Sequence, residues 1–174
     1  RLEYIEFQYP NANFISNIQG ICPSDIVQFS NQSSGIGINN TWDFGDGTQS
    51  SQINPFHSFI SNGLYDISLL VTDSFNCTSN IVLVNHIEVL KPTANFTISG
   101  ASSNCPPLIS SFSNTSTNDV INWDWLYSNG GNSSLTNPSH LFSVSGIFDV
   151  TLIVENSFGC KDTLVQNGLV NVSG

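Results

Sequence analysis

The chain has 174 residues and a formal net charge of −10, from three Lys or Arg against 13 Asp or Glu. Only 9% of it is charged, and that acidic, sparsely charged surface excludes nucleic-acid binding, which needs a cationic footprint, and argues against adhesion to an anionic membrane. No apolar run approaches the roughly 18 residues of a membrane span, so membrane insertion is not expected, while 39% apolar content is more than a disordered chain carries.

The first predicted element is already part of a repeat. Residues 5–14 read IEFQYPNANF and residues 87–96 read IEVLKPTANF, an offset of 82. Residues 1–9 therefore read as the last strand of a preceding repeat or a linker. Beyond them the offset settles at 83: Cys22-Pro23 returns as Cys105-Pro106, Phe29-Ser30-Asn31 as Phe112-Ser113-Asn114, and Asn54-Pro55 with His57 and Phe59 as Asn137-Pro138 with His140 and Phe142. Gly63, Tyr65 and Asp66 match Gly146, Phe148 and Asp149. The first full repeat is assigned to residues 10–91 and the second to 92–174, with joints just before Pro10 and Pro92. A prolyl joint of about two residues is stiff, which predicts an extended rod and neighbouring repeats of the same chain as the first partners.

Within each repeat the patterning is that of strands. From Leu64 to Thr72, Tyr65, Ile67, Leu69 and Val71 share one face, and Asp66, Ser68, Leu70 and Thr72 the other. In the second copy Phe148, Val150, Leu152 and Val154 face inward. Period-two alternation bounded by Gly and Asn clusters marks half-buried strands. No segment sustains a helical period, and the Asn-Gly-Ser turns disfavour helix throughout. Several short strands in about 82 residues predict an all-β fold, two two-sheet sandwiches in tandem.

Three motifs then bring a family into view. Trp42-Asp43-Phe44-Gly45-Asp46-Gly47, Pro55-Phe56-His57-Ser58-Phe59 and Gly63-Leu64-Tyr65-Asp66-Ile67 closely resemble the signature of the polycystic-kidney-disease (PKD) domain. The resemblance covers each repeat almost end to end. It implies immunoglobulin-like β-sandwiches of a kind found in large bacterial and archaeal surface proteins and beside the catalytic domains of secreted hydrolases. The Cys-Pro pair with a later Cys is similar to repeats in giant secreted proteins of the Bacteroidetes. In the second repeat Pro138, His140, Gly146 and Phe148 keep the pattern. The first motif departs from it, with Trp123-Asp124-Trp125-Leu126-Tyr127 followed by Asn129-Gly130-Gly131. Trp123-Asp124 is read as the counterpart of Trp42-Asp43 in a remodelled turn.

Candidate chemistry is sparse. Asp43 and Asp46 are two carboxylates in a Gly-rich turn, a weak candidate seat for Ca²⁺, which takes six to eight oxygen ligands. The simpler reading is that Asp46 bonds amides of its own turn, so no metal or other cofactor is expected. His57 and His140 lack partners at ligand spacing and read as packed residues beneath a strand crossing. Trp42 and Trp123 read as core anchors and not as sugar-stacking platforms. Tyr9, Phe56 and Tyr127 are expected to point outward as contact candidates. Nothing resembles G-x-S-x-G, a phosphate loop or a zinc-binding cysteine cluster, so no catalytic residues are assigned and the chain is not expected to be an enzyme.

The cysteines allow three pairings, and the repeat selects Cys22–Cys77 and Cys105–Cys160, which share a 55-residue separation. Such bridges imply an oxidising, extracellular compartment. The expected function is a spacer or stalk in a long cell-surface adhesin or filament, with lateral self-association or contacts to surface proteins and glycans. A carbohydrate- or protein-binding module and an accessory domain of a secreted hydrolase are the alternatives.

Overall fold

In a computed structural model the described residues are 9–174, and the expectation that residues 1–9 form the last strand of a preceding repeat falls almost wholly outside them. The chain divides into two compact units, Arg1–Leu90 and Lys91–Gly174. In the first unit the strands are β1 (Phe14–Ser16), β2 (Gly20–Ile21), β3 (Ile26–Asn31), β4 (Asn39–Asp43), β5 (Gln49–Ser50), β6 (Phe56–Ser58), β7 (Gly63–Thr72) and β8 (Thr78–Val89). They form a three-stranded sheet ordered β1-β3-β6 and a five-stranded sheet ordered β2-β8-β7-β4-β5. The second unit repeats the plan with β9 (Phe96–Ser99), β10 (Ser102–Ser103), β11 (Leu108–Asn114), β12 (Val120–Tyr127), β13 (Asn132–Ser133), β14 (Ser139–Phe142), β15 (Gly146–Asn156) and β16 (Lys161–Val172), in sheets β14-β11-β9 and β10-β16-β15-β12-β13. Each unit is an immunoglobulin-like β-sandwich, and no helix occurs among the described residues.

Alternation builds each core. Ile67, Leu69 and Val71 of β7 are fully buried and meet Phe14 and Phe29 of the opposite sheet around Trp42. In the second unit Val150, Leu152 and Val154 meet Phe96 and Phe112 around Trp125. Trp42 pairs with Leu69 across the sheet, and its indole N–H donates to the Gln52 carbonyl at 2.8 Å. Trp125 pairs with Leu152, and its N–H donates to the Leu135 carbonyl at 2.9 Å. The counterpart of Trp42 is therefore Trp125, not Trp123. Trp123 lies two residues earlier on the same face, half-buried at the rim of the core, and Asp124 is exposed between them. The W-x-W spacing in β12 puts two tryptophans on one strand face, and both copies of the dipeptide Trp-Asp look alike until register is known.

Tyr127 also departs from the outward placement expected of it. It is 5% exposed and takes the inward position that Phe44 holds in the first unit. Tyr9 and Phe56 are exposed.

The repeated Asp after each aromatic has a clear task. The β7–β8 ladder shifts between Tyr65 and Ile67, and Asp66 Oδ1 accepts the N–H of Asn85 at 2.7 Å inside the resulting bulge. The β15–β16 ladder shifts between Phe148 and Val150, and Asp149 Oδ1 accepts the N–H of Gly168 at 2.7 Å. Asn85 and Gly168 both have positive φ, 51° and 60°, a conformation those two residue types tolerate best. The Asn-Pro pairs act likewise on β3 and β11. Asn54 Oδ1 accepts the N–H of Asn31 and the Pro55 carbonyl that of Phe29, at 2.8 and 2.9 Å. Asn137 and Pro138 do the same for Asn114 and Phe112.

The cysteines overturn the pairing read from the repeat. Cys77 and Cys105 are free thiols, whereas Cys22 and Cys160 are disulfide-bonded. The register explains why neither within-repeat bridge closes. Cys22 follows Ile21, which pairs with Val89 at the end of β8, while Cys77 precedes Thr78 at the start of the same strand. At about 3.3 Å per residue the two lie roughly 35–40 Å apart, against the 4.4–6.8 Å between Cα atoms that a disulfide needs. Cys105 follows Ser103, which pairs with Val172 at the end of β16, and Cys160 precedes Lys161 at its start. Equal sequence separation expressed the repeat period and carried no information about proximity.

Candidate functional site

A polar cluster in the first unit surrounds the β4–β5 turn. Gly45 holds φ +75°, and a Cβ there would stand 2.5 Å from the Asp66 carbonyl, so this turn passes directly over the strand bulge. Asp43 Oδ1 accepts the Gly45 N–H at 2.9 Å and Asp43 Oδ2 accepts an amide N–H of Gln49 at 3.1 Å. These two bonds, the backbone one foremost, hold the Asp43 carboxyl below its usual range. Asp46 Oδ1 accepts the N–H of Thr48 at 3.0 Å and its hydroxyl at 2.6 Å. Asp46 Oδ2 meets His57 Nε2 at 2.7 Å. Burial alone would raise the Asp46 carboxyl, but the bonds from Thr48 and His57 together hold it below the usual range. Gly47 closes the turn with positive φ.

His57 is thus more than a packed ring. It lies flat on Phe44 with centroids 4.1 Å apart and planes 6° from parallel, and meets Phe59 edge-on at 4.6 Å. The carboxylate partner lies eleven residues earlier, in the β4–β5 turn of the opposite sheet. A signal for it existed, because an oxygen-bearing side chain stands at 46 and at 129 with a histidine at the same spacing in both repeats.

In the second unit Asn129 takes the place of Asp46. His140 Nε2 meets Asn129 Oδ1 at 2.9 Å, and the ring lies on Tyr127 at 3.8 Å and 11°. Burial lowers the His140 pKa and pushes the Tyr127 phenol up to about 12.

The chemistry open to this cluster follows from its geometry. In a Ser-His-Asp relay the carboxylate and the nucleophile occupy opposite ring nitrogens. Here Asp46 and the Thr48 hydroxyl both meet Nε2, at 2.7 and 3.3 Å, and the hydroxyl is already bonded to Asp46. The triangle is closed on itself, with no proton path from a nucleophile through the ring. Asp43 spends its oxygens on Gly45 and Gln49, and Asp46 spends its own on Thr48 and on His57 of β6. Among the described residues, no group of three or more His, Cys, Asp or Glu is arranged to hold a metal ion.

The remaining motif residues serve the fold. Gly63 opens β7 beside the Tyr65 ring, whose hydroxyl donates to the Ser61 carbonyl at 2.8 Å, and Gly146 opens β15 beside Phe148. A shallow cleft of about 410 Å³ borders Trp123, Asp124, Glu155 and Lys161 on the second unit. The Trp123 indole N–H and the Tyr127 hydroxyl are buried without a protein partner.

Comparison with known proteins places these features. A microbial collagenase of Vibrio alginolyticus is 40% identical over 74 residues, covering 40% of this chain and 9% of the collagenase. The PKD1 domain of Vibrio anguillarum Epp is 33% identical, covering 48% of this chain and 99% of that domain, with a TM-score of 0.42. The PKD1 domain of the Vibrio cholerae metalloprotease PrtV is 27% identical, covering 47% and 99%, with a TM-score of 0.40. The PKD domain family matches residues 8–89 and 90–172, nearly the whole length, and the chain belongs to it as a tandem pair of PKD domains.

Proposed function

We propose that the pair is an extracellular spacer, holding other parts of a larger protein or a surface filament apart, without catalysis of its own. The observation that carries this reading is the self-contained character of its polar clusters. Asp43, Asp66 and Asp149 point back into their own turn or bulge, Asp46 bonds its own turn and His57 of the same module, and the same architecture occurs twice at an offset of 83 residues. A catalytic site needs ionisable groups left over from folding, whereas the carboxylates of these clusters are engaged in holding shape; the buried polar atoms without a protein partner, Trp123 Nε1 and the Tyr127 hydroxyl, belong to neutral side chains. The disulfide-bonded Cys22 and Cys160 support an oxidising compartment. The 74-residue likeness to a microbial collagenase supports a place beside a hydrolase as a specific form of this role. Attachment to a cell surface, as in an adhesin, is the other form.

The isolated pair, applied to a glycan array and to fibrillar collagen, is expected to bind no better than an unrelated β-sandwich of equal size. Saturable binding lost on substituting exposed side chains such as Phe56, or Trp123 at the cleft, would overturn the spacer reading in favour of a binding module.

A further inference from the structure

Each PKD module carries one cysteine at each of its poles. In the first module the turn bearing Cys77 lies where the chain enters, since Ala12 N–H donates to Ser79 Oγ at 3.1 Å. Cys22 lies where the chain leaves, following Ile21, whose carbonyl accepts the Leu90 N–H at 3.1 Å. In the second module Cys160 sits at the entry pole beside Asp162, whose carboxylate accepts the Ala94 N–H at 2.9 Å. Cys105 sits at the exit pole, following Ser103, whose carbonyl accepts the Ser173 N–H at 2.9 Å. The disulfide-bonded cysteines are one of each kind, Cys22 from an exit pole and Cys160 from an entry pole. The free thiols are again one of each kind: Cys77 at an entry pole, half-buried, and Cys105 at an exit pole, exposed.

We propose that Cys77 and Cys105 are linkage sites, each taking the complementary cysteine of another copy of this PKD module, entry pole to exit pole. Two lone thiols would not support this. What supports it is that their repeat counterparts, Cys160 for Cys77 and Cys22 for Cys105, are oxidised in the same fold, so both positions admit a disulfide. The register also bars them from closing within their own module. A contact between unlike poles is heterologous and propagates from module to module. The linkage deepens the spacer reading, on which it rests for its purpose, by making the spacer a covalently stitched one.

The chemistry is thiol–disulfide exchange with a low-molecular-weight disulfide such as oxidised glutathione. The Cys77 thiolate attacks one glutathione sulfur and releases one glutathione thiolate. The Cys105 thiolate of another copy then attacks the Cys77 sulfur of this mixed disulfide. The Sγ–Sγ bond forms and the second glutathione thiolate leaves. Two protein thiols are oxidised, one disulfide is reduced to two glutathione thiols, and the two protein protons end on those thiols.

The experiment uses the whole two-module chain, with Cys77→Ser and Cys105→Ser variants, in a mixed glutathione buffer followed by non-reducing electrophoresis. The wild type is expected to form a ladder of multimers that reductant collapses. The equimolar mixture of the two variants is expected to give about tenfold more dimer than either variant alone, joined by a Cys77–Cys105 peptide. Equal dimer in all three variant samples, or glutathione adducts of monomer only, would overturn the linkage. Either result leaves the glycan and collagen outcome untouched, so failure here is distinct from failure of the spacer reading.

Discussion

At one place the two modules solve the same problem with different chemistry. The first fastens its histidine to a carboxylate, Asp46 to His57 at 2.7 Å, and the second to an amide, Asn129 to His140 at 2.9 Å. In both the ring lies flat on an aromatic, Phe44 or Tyr127. A second exchange runs the same way. Asp73 Oδ1 accepts the N–H groups of Phe75 and Cys77, and Asn156 Oδ1 accepts those of Phe158 and Cys160. What both modules keep is an oxygen acceptor in a fixed place, while its charge is dispensable. Acid–base chemistry would need the charge; a fastener needs only the hydrogen bond. The comparison therefore favours structure over catalysis.

The largest expected effect separates the two tryptophans of β12. Trp125→Ala should destabilise the second module by about 3–5 kcal/mol, the usual cost of emptying a buried aromatic site. Trp123→Ala should cost about 1 kcal/mol, since only part of that ring is buried. Denaturant titration reading the second module's transition checks this, and equal losses would reverse the assignment of Trp125 as the counterpart of Trp42.

Next come the bulge staples. Asp66→Ala and Asp149→Ala each remove the acceptor of a bulge N–H and should cost about 1–3 kcal/mol in their own module only. No loss in the module that carries the substitution would contradict the staple role.

A smaller effect tests the clasps directly. The folded Asp46 carboxyl lies below its ordinary value of 3.8, so its contribution is fully present above that value and is lost as pH falls through the folded one. Asp46→Asn should abolish this acid-sensitive component while costing under about 1 kcal/mol at neutral pH, as shown by melting temperature against pH.

The smallest effect lies in mild acid. Burial lowers the pKa of His86 in the first module and of His140 in the second. A lowered histidine favours folding above its unfolded value of 6.5, and the benefit falls away as pH drops below that value towards the folded one. His86 meets Ser16 Oγ through Nε2 at 3.0 Å and Gln19 Nε2 through Nδ1 at 3.4 Å. Protonation would set a ring N–H against the Gln19 amide donor. His86→Leu, the residue type at the equivalent Leu169, should flatten the first module's profile between pH 7 and 5 and leave the second module's unchanged.

Much of this was legible in sequence, for physical reasons. Strand alternation in Leu64–Thr72 has a period of two whatever the tertiary context, and the 83-residue offset carried the second module's plan from the first. What escaped detection depended on alignment and register. Trp123 and Trp125 share a strand face, and the repeated dipeptide Trp-Asp pointed to Trp123 although the 83-residue offset falls on Trp125, whose pairing with Leu152 identifies it as the core anchor. Tyr127 reads as an exposed aromatic when the second motif is aligned on Trp123-Asp124, whereas the 83-residue offset gives it the inward place of Phe44. Cys22 and Cys77 share a module, yet the parallel pairing of β2 with the far end of β8 puts a strand's length between them.

That last separation joins fold to function, because cysteines at opposite poles can serve connections and cannot serve closure of a single module. Mass spectrometry of the unreduced protein after alkylation tests it most directly. For the monomer, before any exposure to oxidised glutathione, the account predicts alkyl groups on Cys77 and Cys105 without reduction and on Cys22 and Cys160 only after it. A peptide linking Cys22 to Cys77, or Cys105 to Cys160, would contradict the strand register and the account built on it.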